Sequence, residues 1–250
     1  MSKEILKADL HVHSRFSPDS LAWVWQIEEE RKRKGLDYIG ITDHNTLTEA
    51  AKILKKDSGT PFVLGEEVLT SDTNSRGKKI EIIGMFLQEP IAPGQTIKQT
   101  IFQINAQRGV VVIPHPFDEW RHGAGARASR AIINDCLGGI PVAIEVFNAR
   151  AGKNANFLAK MLWCELRNDG VLATAGSDAH RIAEIGRGYV GLPPFQTTRQ
   201  FSAALAEAKA CGEVNAWGTL YQRLLNRIEL AMGKTFSDLR KELSPDFNYR

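Results

Sequence analysis

A chain of 250 residues is long enough for one α/β barrel with a substantial core, and its 43% hydrophobic and 24% charged residues are those of a soluble globular protein. The net charge of +3 is too small to argue for nucleic acid or membrane as a partner, although a bound metal could still attract an anionic substrate locally. Cys136, Cys164 and Cys211 form no C-x-x-C pair, no window is apolar enough to span a bilayer, and the first strand follows no signal-type segment, so free thiols and a cytoplasmic setting are expected.

Residues 5–13 read as a strand whose alternation places Asp9, His11 and His13 on one face. Ser17-Pro18-Asp19-Ser20 reads as a turn and helix cap, and the helix beyond, with Leu21, Val24 and Trp25, stops at Gly35. Residues 38–42 form a second strand that runs into Asp43-His44, and Thr46-Leu47-Thr48-Glu49 fits a capping box for another helix. Residues 62–69 form a third strand carrying Gly65-Glu66-Glu67. A polar connection from 71 to 79 leads to 80–87, which can pair with it as a hairpin.

Ile97, Ile101 and Ile104 mark a helix, and 109–114 a strand that runs into His115. The segment 117–129, with Trp120, Arg121 and His122, reads as a long loop of the kind that meets substrate. Residues 132–137 read as helix and 142–147 as a strand bearing Glu145 and ending at Asn148. Residues 157–166 read as a helix with Phe157, Met161, Leu162 and Leu166 inward. The strand at 171–176 is followed by Asp178 and His180, which point the same way if strand geometry persists. A strand at 189–192 and a helix at 201–210 come next. Leu220, Leu224, Ile228 and Met232 then mark an amphipathic tail, about 213–250, expected to pack on the barrel. Strand and helix alternate about seven times without repeat or linker, so 1–250 reads as one domain.

Five of the six histidines (His11, His13, His44, His115, His180) stand at expected C-terminal ends of strands, beside Glu67 or Glu66 and Asp178. Histidines and acids gathered on one barrel rim describe a metal site, and the supply is about twice what one catalytic ion needs. Two or three ions are implied, with carboxylates as bridges. His122 falls outside the pattern and reads as a solvated loop residue.

Asp-Leu-His-Val-His-Ser at 9–14, Ile-Thr-Asp-His-Asn at 41–45, Gly-Glu-Glu-Val at 65–68, Pro-His-Pro at 114–116 and Gly-Ser-Asp-Ala-His at 176–180 together resemble, in order, the motifs of the polymerase and histidinol phosphatase (PHP) superfamily. The resemblance implies a distorted (β/α)7 TIM-like barrel with two or three divalent ions (Zn, Mn or Fe), here with a C-terminal helical extension. It implies one ion on His11, His13, Glu67 and Asp178, a second on Glu67, His115 and a ligand from 80–84, and a third on Asp19, His44 and His180. The family pattern selects Glu67 over Glu66, and Asp19 is either ligand or helix cap. Where many relatives have His, this chain has Glu81, which either coordinates, favouring harder ions such as manganese, or faces solvent.

Asp9 and Asp43 adjoin the histidines and are expected to accept their second ring N–H. Glu145 and Asn148 either support the ligands or touch substrate. Arg187, Arg150 and Arg121 are candidate phosphate forks, Arg187 foremost. The implied activity is hydrolysis of a small phosphomonoester or nucleotide phosphate by a metal-bridging hydroxide, with Asp178 and His180 also managing protons. The alternatives are an exonuclease or phosphodiesterase acting on short oligonucleotides, and a non-catalytic metal-binding scaffold.

Overall fold

Runs such as Val110–Ile113, four branched residues all buried, fit a pleated sheet covered on both faces. Nine strands form one sheet in the computed structural model, which describes residues 4–47 and 62–214. They are β1 (Leu6–Val12), β2 (Tyr38–His44), β3 (Phe62–Thr73), β4 (Lys79–Met85), β5 (Val110–Ile113), β6 (Val142–Asn148), β7 (Leu172–Gly176), β8 (Gly188–Leu192) and β9 (Lys209–Gly212). The described helices are α1 (Val24–Lys34), α2 (Ile97–Ala106), α3 (Gly125–Cys136), α4 (Lys153–Leu166) and α5 (Thr198–Ala206).

The sheet order is β7-β6-β5-β4-β3-β2-β1-β8-β9. Pairing is parallel from β1 to β3 and from β5 to β7, whereas β4 is antiparallel to both neighbours. The reversal follows from the short turn after Thr73, which has no room for the crossover a parallel neighbour needs. The ends then meet: Val12 bridges Ala179 in parallel, His13 N–H donates to Ala179 O at 2.9 Å, and Asp178 N–H donates to His11 O at 2.7 Å. The result is a nearly closed, distorted barrel. β8 and β9 extend it antiparallel to β1.

Alternation then sorts the interior. Val63, Ile83, Met85 and Ala143 belong to one apolar cluster with Phe195 and Phe201. Further along the same faces stand Glu67, Glu81 and Glu145, so acids sit directly above an oily floor.

Several expectations change. α1 begins at Val24 with Trp23 at its cap, whose N–H donates to Gln26 Oε1 at 3.1 Å, so Asp19 caps nothing. Gly35, with φ 62°, does end it. The segment 117–129 is only partly loop: Glu119–Arg121 is one turn of 3₁₀ helix, and α3 starts at Gly125 because Ala-Arg-Ala favours helix. On α4 the buried face is Asn156, Ala159 and Leu162, whereas Phe157 and Met161 are 60% and 53% exposed. The polar Asn156 hides that face: its amide donates to Asn148 O at 2.9 Å and its oxygen accepts from Asn148 N.

α5 ends at Ala206, and Lys209–Gly212 is an exposed edge strand with no apolar alternation to announce it. All three cysteines are free, but only Cys136 is buried. The box at 46–49 runs past the described residues, and the apolar stripe from Leu220 lies wholly outside them. No described helix is long and apolar enough to cross a membrane.

Candidate metal centre

The strand ends deliver their polar side chains to one point. His11 Nε2 lies 3.1 Å from His13 Nε2 and 3.3 Å from Glu67 Oε2. His13 Nε2 lies 3.3 Å from the same oxygen and 3.5 Å from Asp178 Oδ1, and the His11–Asp178 separation is 3.9 Å. Four donors around a tetrahedral ion with bonds of ~2.0–2.1 Å stand roughly 3.3 Å apart. The His11, His13 and Glu67 separations lie close to that value, so these three donor atoms could share one ion, and Asp178 stands beside them.

Glu67 faces two ways. Its Oε2 points to His11 and His13, and its Oε1 lies 3.2 Å from His115 Nε2. Glu81 Oε2 is 3.9 Å from His115 Nε2, and its Oε1 is 3.6 Å from His44 Nδ1. Beyond His13, Asp19 Oδ2 is 2.9 Å from His180 Nε2 and 3.8 Å from His44 Nε2. The alternation of β3 separates the adjacent acids: Glu66 turns away and accepts Ile91 N–H at 2.8 Å.

The electrostatics ask for positive charge. Burial pushes Glu81 up, and the neighbouring Glu67 and Asp178 carboxylates push it further, well above the usual range. Burial alone would lower His13, but hydrogen bonds to Asp178 and Glu67 outweigh it and raise it to about 9. Glu145, Glu67 and Asp178 likewise overcome burial at His11 and hold it well above its ordinary value. His180 goes the other way, to about 3, because burial and Arg150 both disfavour its cation. It is therefore neutral, the form that binds metals. Asp19 Oδ1 and His115 Nδ1 are buried with no hydrogen-bond partner. Imidazoles and carboxylates gathered in this way could hold a metal ion.

A second layer orients these donors. Glu145 Oε1 lies 3.0 Å from His11 Nδ1, while its Oε2 accepts His115 N–H at 2.7 Å and Asn148 Nδ2–H at 3.0 Å. Asn148 Nδ2 also donates to Asp178 Oδ2 at 3.1 Å. Contrary to expectation, neither Asp9 nor Asp43 bonds a ring. Asp9 accepts Ser177 N–H and Gly186 N–H at 2.9 and 2.8 Å. Asp43 accepts from Ser14 and Ser17, since strand alternation turns it away from His44. Ser17 Oγ carries the link onward: it lies 3.1 Å from His13 Nδ1 and accepts His44 N–H. The sequence put Ser14 in the first motif and Ser17 in a turn, but gave neither this role.

Strand geometry does not persist to His180. β7 ends at Gly176, and Asp178 takes φ 54°; His115 is also left-handed, at φ 26°. Each such residue costs on the order of 1–3 kcal/mol and is held by its surroundings. The turn still brings Asp178 Oδ1 within 3.4 Å of His180 Nδ1.

Of the arginines, Arg121 pairs with Asp178 Oδ2, and Arg150 lies against His180 Nδ1 and 3.7 Å from Asp178 Oδ1. Arg187 is elsewhere, in a cleft with Lys34 and Tyr189, its carbonyl accepting Glu213 N–H at 2.8 Å. His122 is half-buried and lines the cluster's cavity, with Nδ1 at 2.8 Å from Lys79 O.

Residues 9–83 match the PHP domain and residues 166–210 the PHP-associated region. The chain is 35% identical to an uncharacterized protein of Methanocaldococcus jannaschii over 156 residues, 58% of this chain and 82% of that one. Among solved structures it is similar to a two-domain protein of Bacteroides vulgatus containing a predicted PHP-like metal-dependent phosphoesterase. There the TM-score is 0.64 at 18% identity, over 84% of this chain and 66% of that one, so this chain spans just under two thirds of that protein. It is also similar to the lesion-specific endonuclease Q of Pyrococcus furiosus, with TM-score 0.59 and 16% identity over 99% of this chain and 73% of that one.

Proposed function

Since this chain belongs to the PHP family, we propose that it is a metal-dependent phosphoesterase acting on a small phosphorylated substrate. The observation that carries the reading is the gathering of buried imidazoles and carboxylates at one rim, with His11, His13 and Glu67 donor atoms 3.1–3.3 Å apart and Asp178 3.5 Å from His13. Those four would hold one ion. Glu67, His115 and Glu81 would hold a second, and Asp19, His44 and His180 a third. The two oxygens of Glu67, aimed at different partners, suit it to bridge the first two.

When bound, the ions supply Lewis acidity, activating water and neutralising charge on the phosphoryl group. The chain's own residues do the rest. Arg121 and Arg150, both beside Asp178, present guanidinium groups to phosphoryl oxygens. Asn148 orients Asp178, and Glu145 orients His11. His180 Nδ1 accepts from the Arg150 guanidinium, while its Nε2 faces Asp19 Oδ2 at 2.9 Å. Asp178 and His180 would also take up and return a proton for the leaving oxygen.

Protein reconstituted with manganese or zinc is expected to release phosphate from a panel of phosphomonoesters, and His11→Ala to abolish that release while the chain stays folded. Full metal loading without release from any member would overturn the reading. A His11→Ala variant that lost only stability would favour a scaffold instead. The likeness to endonuclease Q is one of fold, and labelled oligonucleotides in the same panel separate a phosphodiesterase from a monoesterase.

A further inference from the structure

The cavity over the cluster, about 330 Å³, is lined mostly by the donors and arginines already named, with one large exception. Trp120 stands at its edge and is 67% exposed. The other large exposed hydrophobic side chains among the described residues, such as Trp25, Phe102 and Phe157, do not line this cavity. Trp120 is set apart by its place, a large exposed ring on the rim of the cavity over the cluster.

The ring is also held ready. Arg76, from the turn between β3 and β4, sits 4.6 Å from the Trp120 ring centroid and covers one face. Asn74 Nδ2 donates to Glu119 O at 2.9 Å and to Gly123 O at 2.8 Å, so the turn and the Trp120 segment are tied together. Asp118 N–H donates to His115 O, and Gly123 N–H to Asp118 O, which fixes the same segment to a candidate ligand. A side chain added at Gly123 would run into the Asp118 backbone, 2.9 Å away. Arg121, the next residue, turns inward to Asp178 while Trp120 remains outside. The two residues are consecutive and both line the cavity, so one short segment presents a cation beside Asp178 and a flat π surface toward solvent.

The geometry points to Trp120 as a stacking platform for the leaving group. The substrate class would then be a phosphoester whose alcohol carries a planar heteroaromatic ring, as a nucleotide does. This rests on the phosphoesterase reading for the phosphoryl end only. Stacking is sequence-tolerant and strong enough to set preference, because every base offers a π face.

The test compares adenosine monophosphate with ribose 5-phosphate, which share the phosphate and sugar and differ in the ring, on metal-loaded full-length protein. The readout is KM where turnover occurs and Kd by calorimetry where it does not. The wild type is expected to favour the nucleotide by about tenfold or more. Trp120→Ala should erase that preference and leave ribose 5-phosphate within about twofold, and Trp120→Phe should keep part of it. No preference in the wild type, or one that survives Trp120→Ala, would overturn the proposal. So would a Trp120→Ala variant that weakens both compounds equally, since that marks a mere prop for Arg121. Ring preference without turnover would sink the phosphoesterase reading and leave this one standing. A trinucleotide with the same terminal phosphate distinguishes a free nucleotide from a chain end by which of the two binds tighter.

Discussion

Glu145 supports two ligands at once, His11 through its ring Nδ1 and His115 through its backbone N–H. Removing the carboxylate leaves His11 without the partner that fixes its tautomer and a buried N–H without an acceptor. Glu145→Ala is therefore expected to weaken metal binding by about 10–100-fold, measured by competition with a chelator of known affinity. Unchanged affinity would show that the ring needs no such anchor. At this scale the sequence was informative about which side chains gather, because His and carboxylate residues stood at strand ends that converge on one rim. It was poor about their supports. The alternation that turns Asp43 away from His44 could be read from the chain, but the fold-back that brings Ser17 to Asp43 could not. Arg187 misled because closeness to Asp178 in the chain does not fix where a side chain lies, and it lines another cleft.

At the level of elements, β7 and β1 approach so closely that Gly176 admits no side chain. A Cβ there would press into the His11 side chain and lie 2.7 Å from its backbone nitrogen. Backbone cannot step aside as a flexible side chain can. Gly176→Ala should destabilise the fold by about 1–3 kcal/mol and weaken metal binding with it, read from a denaturant midpoint and a metal titration on the same preparation. A variant with normal values for both would mean that the two strands can part cheaply. Elements with strong apolar periodicity, such as α2 with its Thr96–Gln99 capping box, were legible. α4 was not, because its inward row includes a hydrogen-bonded Asn156 while Phe157 and Met161 face water. β9 carries no apolar alternation at all and is a strand only because β8 offers an edge.

Across the whole molecule, the barrel concentrates acids and imidazoles above an apolar floor, and protons occupy that cluster when cations do not. His13, ordinarily near 6.5, is raised to about 9. Its proton therefore stabilises the metal-free fold fully below the ordinary value, and that contribution is lost as pH rises through about 9. A binding cation must expel the same proton, so metal affinity should increase from pH 6 toward 9, with proton release visible in calorimetry in buffers of different ionisation enthalpy. Loading at 100-fold over Kd should add about 2.7 kcal/mol of stability, seen as a raised Tm that EDTA reverses. Affinity indifferent to pH would mean that the histidines enter the metal-free state already neutral. The barrel was legible as an alternation of strands and helices. The reversal of β4 was legible only as a hairpin, and the nine-strand count was not, because short edge strands answer to their neighbours more than to their own residues.

The sheet's last seam is stitched by Asp178 N–H to His11 O and His13 N–H to Ala179 O. Three of those four residues, His11, His13 and Asp178, belong to the candidate coordination shell, so closing the barrel also assembles most of the candidate metal centre. A chain unzipped at that seam has no working remnant. Loss of activity on heating should therefore begin with the first opening of the sheet rather than trail behind it.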